Sequence, residues 1–278
     1  MSTKPKTDDA AEFGKIRSFL WPIHNYELKK LLPMLFLFFC ILFNYTILRD
    51  TKDTLIMTAP KSGAGKSTFV KAILNLTKKT SGVVSFFGKS FEEMKDNIAY
   101  VCQTKEVDWD FPITVREVIL MGSYARSHLF GKYCQKDLKK CELLLIKFGL
   151  FDKRNALISE LSGGQRQRLF IARAYMQEAQ IYIFDEPMAF VDFTTSEMII
   201  ESMKELRDSG HTVICVHHNL DEVKKEFDEA VLLSHHLVDA GPVHDVLRKK
   251  NLVNAYQAKD SILTDAFILS KEKECGLV

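Results

Sequence analysis

Three short stretches hold residues whose types and spacing suit the chemistry of a phosphate chain. In Ser62-Gly63-Ala64-Gly65-Lys66-Ser67-Thr68, small residues let backbone N–H groups converge on phosphate oxygens. The helix expected to follow aims its positive end at the same point. Lys66 is placed to reach terminal phosphates, and the Ser67 hydroxyl to bind Mg2+. The full loop pattern has glycine where Pro60 stands. Proline fixes φ and removes one N–H, which weakens the cradle without abolishing it, because the donors lie later. The second stretch is Leu161-Ser162-Gly163-Gly164-Gln165-Arg166-Gln167-Arg168, where Ser162 and Gly164 offer a hydroxyl and backbone donors at a helix start, a further anion site. The third is Asp185-Glu186, with His218 downstream. Asp185 is suited to Mg2+, which prefers oxygen ligands. Glu186 can orient and polarise an attacking water, and His218 can steady a terminal phosphate.

These residues need a frame that delivers them from strand ends. Residues 55–59 (LIMTA), 83–88 (VVSFFG), 97–103 (NIAYVCQ), 181–187 (IYIFDEP) and 211–218 (HTVICVHH) read as strands. Helical periodicity covers 67–76, 114–125 with Thr114 as N-cap, 136–150, and 194–210 closed by Gly210. Continuous apolar strands alternating with helices predict an α/β fold whose parallel sheet is covered on both faces.

Composition narrows the options. Hydrophobic residues make up 46% of the 278, enough for a sizeable core. A formal net charge of +2 gives no support to a nucleic-acid surface. The six cysteines (40, 102, 134, 141, 215, 275) show no CxxC spacing, which favours reduced thiols over a disulfide framework or a zinc site. Neither His217-His218 nor His235-His236 chelates easily from a regular strand, where neighbours face opposite ways.

The order phosphate loop, LSGGQ, apolar strand with Asp185-Glu186, then His218 resembles the ATP-binding cassette (ABC) family of transport ATPases. Gln103 matches that family's glutamine loop, and Asp192 in FVD (190–192) its aspartate loop at the dimer contact. The resemblance covers roughly residues 60–250, which implies a cassette domain over 55–250, with a helical subdomain near 114–160 and a C-terminal tail over 251–278. VDWDFPITVREVILMG (107–122) and VHHNLDEV (216–223) look like the ATPase subunits of manganese, zinc or iron importers, with Asn219 where aspartate is usual. The resemblance implies a P-loop NTPase that binds ATP and Mg2+ and hydrolyses ATP. In it Ser67, Gln103 and Asp185 serve Mg2+, while Glu186, His218 and Gln103 serve catalysis. It further implies a homodimer in which Ser162, Gly163, Gly164 and Gln165 meet the ATP held by the other copy. Permease subunits and a metal-binding receptor protein are the implied partners, at the cytoplasmic face of an inner membrane.

The front of the chain resembles something else. Residues 1–30 are a polar segment. Leu31–Leu48 is an uncharged run that would span roughly 27 Å as a helix, bracketed by Lys29-Lys30 and Arg49. Phe36, Phe38, Phe39 and Phe43 cover all helix faces, which favours lipid or a very deep core. Together with RDTKDTL (49–55), residues 13–64 look like the N-terminus and first membrane helix of bacterial and plastid ADP/ATP carriers. A chimeric junction near Ser62–Ala64 is expected, with the cassette's usual antiparallel strands, and the aromatic that stacks on adenine, absent. The carrier resemblance places residue 50 onward outside. The charges tie, with Lys15, Arg17, Lys29 and Lys30 on one side and Arg49, Lys52, Lys61 and Lys66 on the other. The alternative reading is a non-catalytic membrane-anchored chimera. Without partners, VVSFF is expected to expose an apolar edge.

Overall fold

The computed structural model describes residues 54–58, 65–79, 81–124, 133–234 and 236–257. In chain order these form β1 (Thr54–Thr58), α1 (Lys66–Ile73), α2 (Phe91–Met94), β2 (Ile98–Val101), α3 (Val115–Met121), α4 (Gln135–Lys147) and α5 (Gly163–Gln177). There follow β3 (Ile181–Asp185), α6 (Phe193–Asp208), β4 (Thr212–His217), α7 (Leu220–Glu226), β5 (Glu229–Leu233), β6 (Leu237–Pro242), α8 (Val243–Val246) and α9 (Lys249–Gln257). The described chain divides into two compact units, a sheet unit and a helical unit made mainly of Cys102–Glu178 with Phe190–Thr195.

The sheet unit carries six strands in the order β2-β3-β4-β1-β5-β6. The first five are mutually parallel and β6 closes the edge antiparallel to β5. Every residue of β3 and β4 is buried, which is why these strands read as unbroken apolar runs rather than as alternation. Val70 and Ile73 of α1 share one core cluster with Ile183, Ile214, Val216 and Val231 of the strands. Burying each such side chain is worth ~1.5–3 kcal/mol. This core holds the C-terminal tips of β3 and β4 in fixed register, Asp185 beside Val216.

One expected strand is absent. Residues 83–88 make only an isolated bridge, Phe86 to Lys89, across a turn in which Phe87 and Gly88 both have positive φ (51° and 76°). Phe86 is buried while Val83 is 80% and Phe87 42% exposed, so the alternation of a strand persists without the ladder. A ladder needs a neighbour, and among the described residues no antiparallel strand precedes β1. Conversely, β5 and β6 are strands that the sequence reading does not include, although AVLL (230–233) is an apolar run of strand length. The Leu31–Leu48 segment lies outside the described residues, among which no helix is long and apolar enough to cross a membrane.

The helical unit is built on α3, α4 and α5. Thr114 caps α3 in a reciprocal box: Glu117 N donates to Thr114 Oγ1 at 3.3 Å, and Thr114 N donates to the Glu117 carboxylate at 2.8 Å. A Cβ on Gly122 would lie 2.3 Å from the Arg173 carbonyl oxygen, so only glycine admits this approach of α3 to α5. Trp109 packs edge-on to Phe170 (5.4 Å) and lies under the Arg166 guanidinium (4.5 Å), with its indole N–H donating to Thr104 O.

Candidate active site

In the sheet unit, the chain leaves the phosphate loop at Gly65, which adopts φ 93°, a conformation that glycine takes without strain. Helix α1 begins at once, with no side-chain cap and no acidic residue in its first turn. Its positive end is therefore left for an outside anion. Lys66 opens the helix and is only 5% exposed. Burial draws its ammonium below the ordinary lysine range, while the nearby carboxylates of Glu186 and Asp185 pull the other way. Ser67 Oγ donates to Asp185 Oδ1 at 3.0 Å, and Tyr100 Oη approaches Asp185 Oδ2 at 3.4 Å. A hydroxyl and a carboxylate so close, with no sulfur or imidazole between them, fit a small hard cation that takes one or two protein oxygens and the rest from phosphate and water.

Asp185 is the last residue of β3 and fully buried, and Glu186 turns away from the strand with φ 51°. That left-handed conformation is uncommon outside glycine and stores of order 1–3 kcal/mol. It is held by Glu186 N donating to Val216 O (3.0 Å) and Ala189 N donating to Glu186 O (3.1 Å). At the end of β4, His217 is buried, and the next residue, His218, is exposed, with ring centroids 5.3 Å apart.

In the helical unit, Ser162 is the N-cap of α5. Gln165 N donates to Ser162 Oγ at 3.4 Å, and Ser162 N donates to Gln165 Oε1 at 2.9 Å. A Cβ on Gly164 would meet Thr195 Oγ1 at 3.3 Å and Asp192 Oδ2 at 3.4 Å. Asp192 accepts from Thr195 N (2.9 Å) and Thr195 Oγ1 (2.8 Å), and these hydrogen bonds hold its carboxyl below the usual range. The glycines of the LSGGQ turn thus sit directly against the aspartate loop. Gln103, just past β2, is buried in the same unit.

Comparison with known proteins agrees with this layout. The chain is 38% identical over 225 residues to a probable metal transport system ATP-binding protein of Chlamydia pneumoniae, covering 81% of this chain and 87% of the relative. It is 40% identical over 213 residues to the manganese transport system ATP-binding protein MntB of Bacillus subtilis, covering 77% and 85%. The chain belongs to the ATP-binding cassette family. The cassette is also 38% identical over 200 residues to the zinc transport system ATP-binding protein TroB of Treponema pallidum, covering 72% and 75%. A nucleotide-free ATP-binding cassette from an ABC transporter superposes with a TM-score of 0.61 at 25% identity, covering 74% of this chain and 88% of that one. An inward-facing putative metal-chelate type ABC transporter gives 0.63 at 24%, covering 74% and 78%. Separately, a family model described as TLC ATP/ADP transporter matches residues 6–105, less than half of the chain.

Within the cassette, the fold brings Lys66, Ser67, Asp185 and Glu186 together in the sheet unit, as their spacing leads one to expect. Thr68 lies in the first turn of α1, exposed. Ser62, Gly63 and Ala64, together with Pro60, lie outside the described residues. Ser162, Gly163, Gly164, Gln165 and Asp192 gather in the helical unit. Sequence reasoning missed Tyr100 and Thr195. Tyr100 reaches Asp185 only because β2 pairs with β3, an adjacency that no local motif signals. Thr195 stands three residues after Asp192, the spacing of a capping pair, and that could have been found.

Proposed function

We propose that this cassette binds and hydrolyses MgATP as the nucleotide-binding subunit of a metal-ion import system. The observation that carries the reading is the junction of Ser67 with Asp185 beside a buried Lys66 and a strained Glu186. The uncapped start of α1 and the Lys66 ammonium would bind the β- and γ-phosphates. Ser67 and Asp185 would hold Mg2+; when bound, the ion neutralises charge on the phosphate oxygens. Glu186 would hold the attacking water and accept its proton, and His218 would donate a hydrogen bond to the γ-phosphate. Ser162, Gly163, Gly164 and Gln165 would meet the ATP of a second copy, so that Asp192 and its neighbours line the contact between copies. Relatives named for manganese and zinc transport support a divalent transition metal as cargo. Permease subunits and a metal-binding receptor protein complete the assembly on this reading, with the cassette at the cytoplasmic face of the membrane.

The test is Glu186→Gln in the full chain. ATP turnover should fall ~100-fold or more, and the variant should pass from monomer to dimer on adding MgATP, seen by light scattering. Equal turnover in the two proteins removes Glu186 from the mechanism.

A second reading has its own observation. The match of residues 6–105 to a carrier model supports a membrane-linked front, with Leu31–Leu48 as a single-pass anchor. Carbonate extraction of membranes separates the two: an anchored chain stays with the lipid. Protease protection in sealed vesicles then shows whether the cassette faces the ATP side.

A further inference from the structure

The residues around His218 form a device that the catalytic reading leaves unused. His217, the last residue of β4, is 4% exposed and is locked into the sheet, its backbone in register with Thr58 of β1. His218 and Asn219 follow, and α7 starts at Leu220. Within α7, the Glu222 carboxylate turns back on this link. Its Oε2 lies 2.8 Å from His217 Nε2, and its Oε1 accepts from Asn219 Nδ2 at 2.9 Å. Val223 N donates to Asn219 O at 3.2 Å, pinning the backbone of the same residue. His218 is therefore the one residue between two that a single carboxylate grips.

We propose that Glu222 and Asn219 are positioning residues, which hold the exposed His218 ring at the angle its contact with the terminal phosphate requires. This rests on the ATPase reading above. A carboxylate only accepts, so Glu222 obliges His217 to carry its proton on Nε2 and fixes that ring's tautomer. The histidine stays neutral at pH 7 because burial lowers its pKa, the stronger effect, although Glu222 opposes it. The polarity of the grip also suits an amide at Asn219. A carboxylate at that position would set acceptor against acceptor at 2.9 Å, whereas the amide donates. The pair is complementary, and its two halves must be exchanged together.

Exchange is the test. In the full chain, Asn219→Asp and Glu222→Ala should each lower kcat for ATP about tenfold or more, with KM for MgATP within about twofold, since a misplaced group acts on the chemical step. The double variant Asn219→Asp with Glu222→Gln reverses the polarity. The amide introduced on α7 would donate to the carboxylate introduced before it, while its oxygen still accepts from His217. The kcat should then return to within about threefold of wild type, a recovery that a merely structural role does not predict. Single variants that turn over ATP like wild type, or a double variant no better than Asn219→Asp alone, overturn the proposal. His218→Ala run in parallel separates it from the reading beneath: unchanged turnover there removes His218 from the mechanism instead. Should the variants not fold, nitrogen NMR of histidine-labelled wild type decides, with Nε2–H on His217 expected and Nδ1–H contradicting the grip.

Discussion

Two helices in this protein begin at glycines, and their beginnings are built in opposite ways. At α1, Gly65 carries no side-chain cap, the first turn has no acid, and a buried lysine opens the helix. At α5, Ser162 and Gln165 satisfy each other, and Asp192 lies against Gly164. The first start, with neither cap nor acid of its own, suits an anion. The second is already closed on itself, so a ligand there must share or displace internal hydrogen bonds. On the function proposed above, a strong, constant phosphate grip would belong to the first, and a contact that can be made and broken to the second.

Removing the charge at the open start should have the largest effect. Lys66→Ala is expected to cut ATP turnover by about 100-fold or more, the scale of losing one aimed donor. It should leave the thermal midpoint unchanged or raised, because a buried ammonium is removed. Loss of activity together with stability would mean that Lys66 serves the fold.

The closed start can be probed by pairing two substitutions. Ser162→Ala should destabilise α5 by about 1 kcal/mol, whereas Ser162→Gly should cost only a few tenths. If the hydroxyl also meets ATP, both variants lose turnover alike although their unfolding midpoints differ. Turnover that follows stability instead would leave Ser162 a cap and nothing more. Gly164→Ala forces a methyl to within 3.3 Å of Thr195 Oγ1. A loss of about 1 kcal/mol is expected, measurable in urea, and Thr195→Ser should not recover it, because serine keeps the hydroxyl oxygen while the threonine methyl stands off at 3.9 Å.

The smallest effect is in pH. The folded pKa of His217 lies below its ordinary 6.5, with burial the first cause. The unfolded chain therefore binds the proton more readily. Its contribution to stability is complete above pH 6.5 and is lost as pH falls from there toward the folded value, by less than ~1.4 kcal/mol per pH unit. Urea midpoints at about pH 7.5 and 5.5, on either side of the ordinary histidine range, should differ more in wild type than in His217→Gln.

Much of this could be read from the sequence, and the rest fails for identifiable reasons. IYIFDEP and HTVICVHH are recognisable as buried parallel strands because both faces are covered. Thr114 and Gly210 mark helix ends through chemistry that acts within three or four residues. Lys66, Ser67, Asp185 and Glu186 are recognisable because each sits at a strand or helix end, where motif order dictates proximity. VVSFFG misleads for the opposite reason. Its pattern is that of a strand, yet a strand is a property of two segments, and the described chain offers it no second one. The contacts of Tyr100 with Asp185 and of Glu222 with His217 depend on side-chain reach across pairings, which spacing does not encode.

The origin of β1 matters for any shortened version of the protein. This strand comes from the carrier-like stretch, yet it is an interior strand, bonded to β4 on one side and β5 on the other. Residues that the transporter model matches therefore stand in the middle of the cassette's sheet. Trimming the chain as far as Thr58 would not free a tidy module but split the scaffold down its centre.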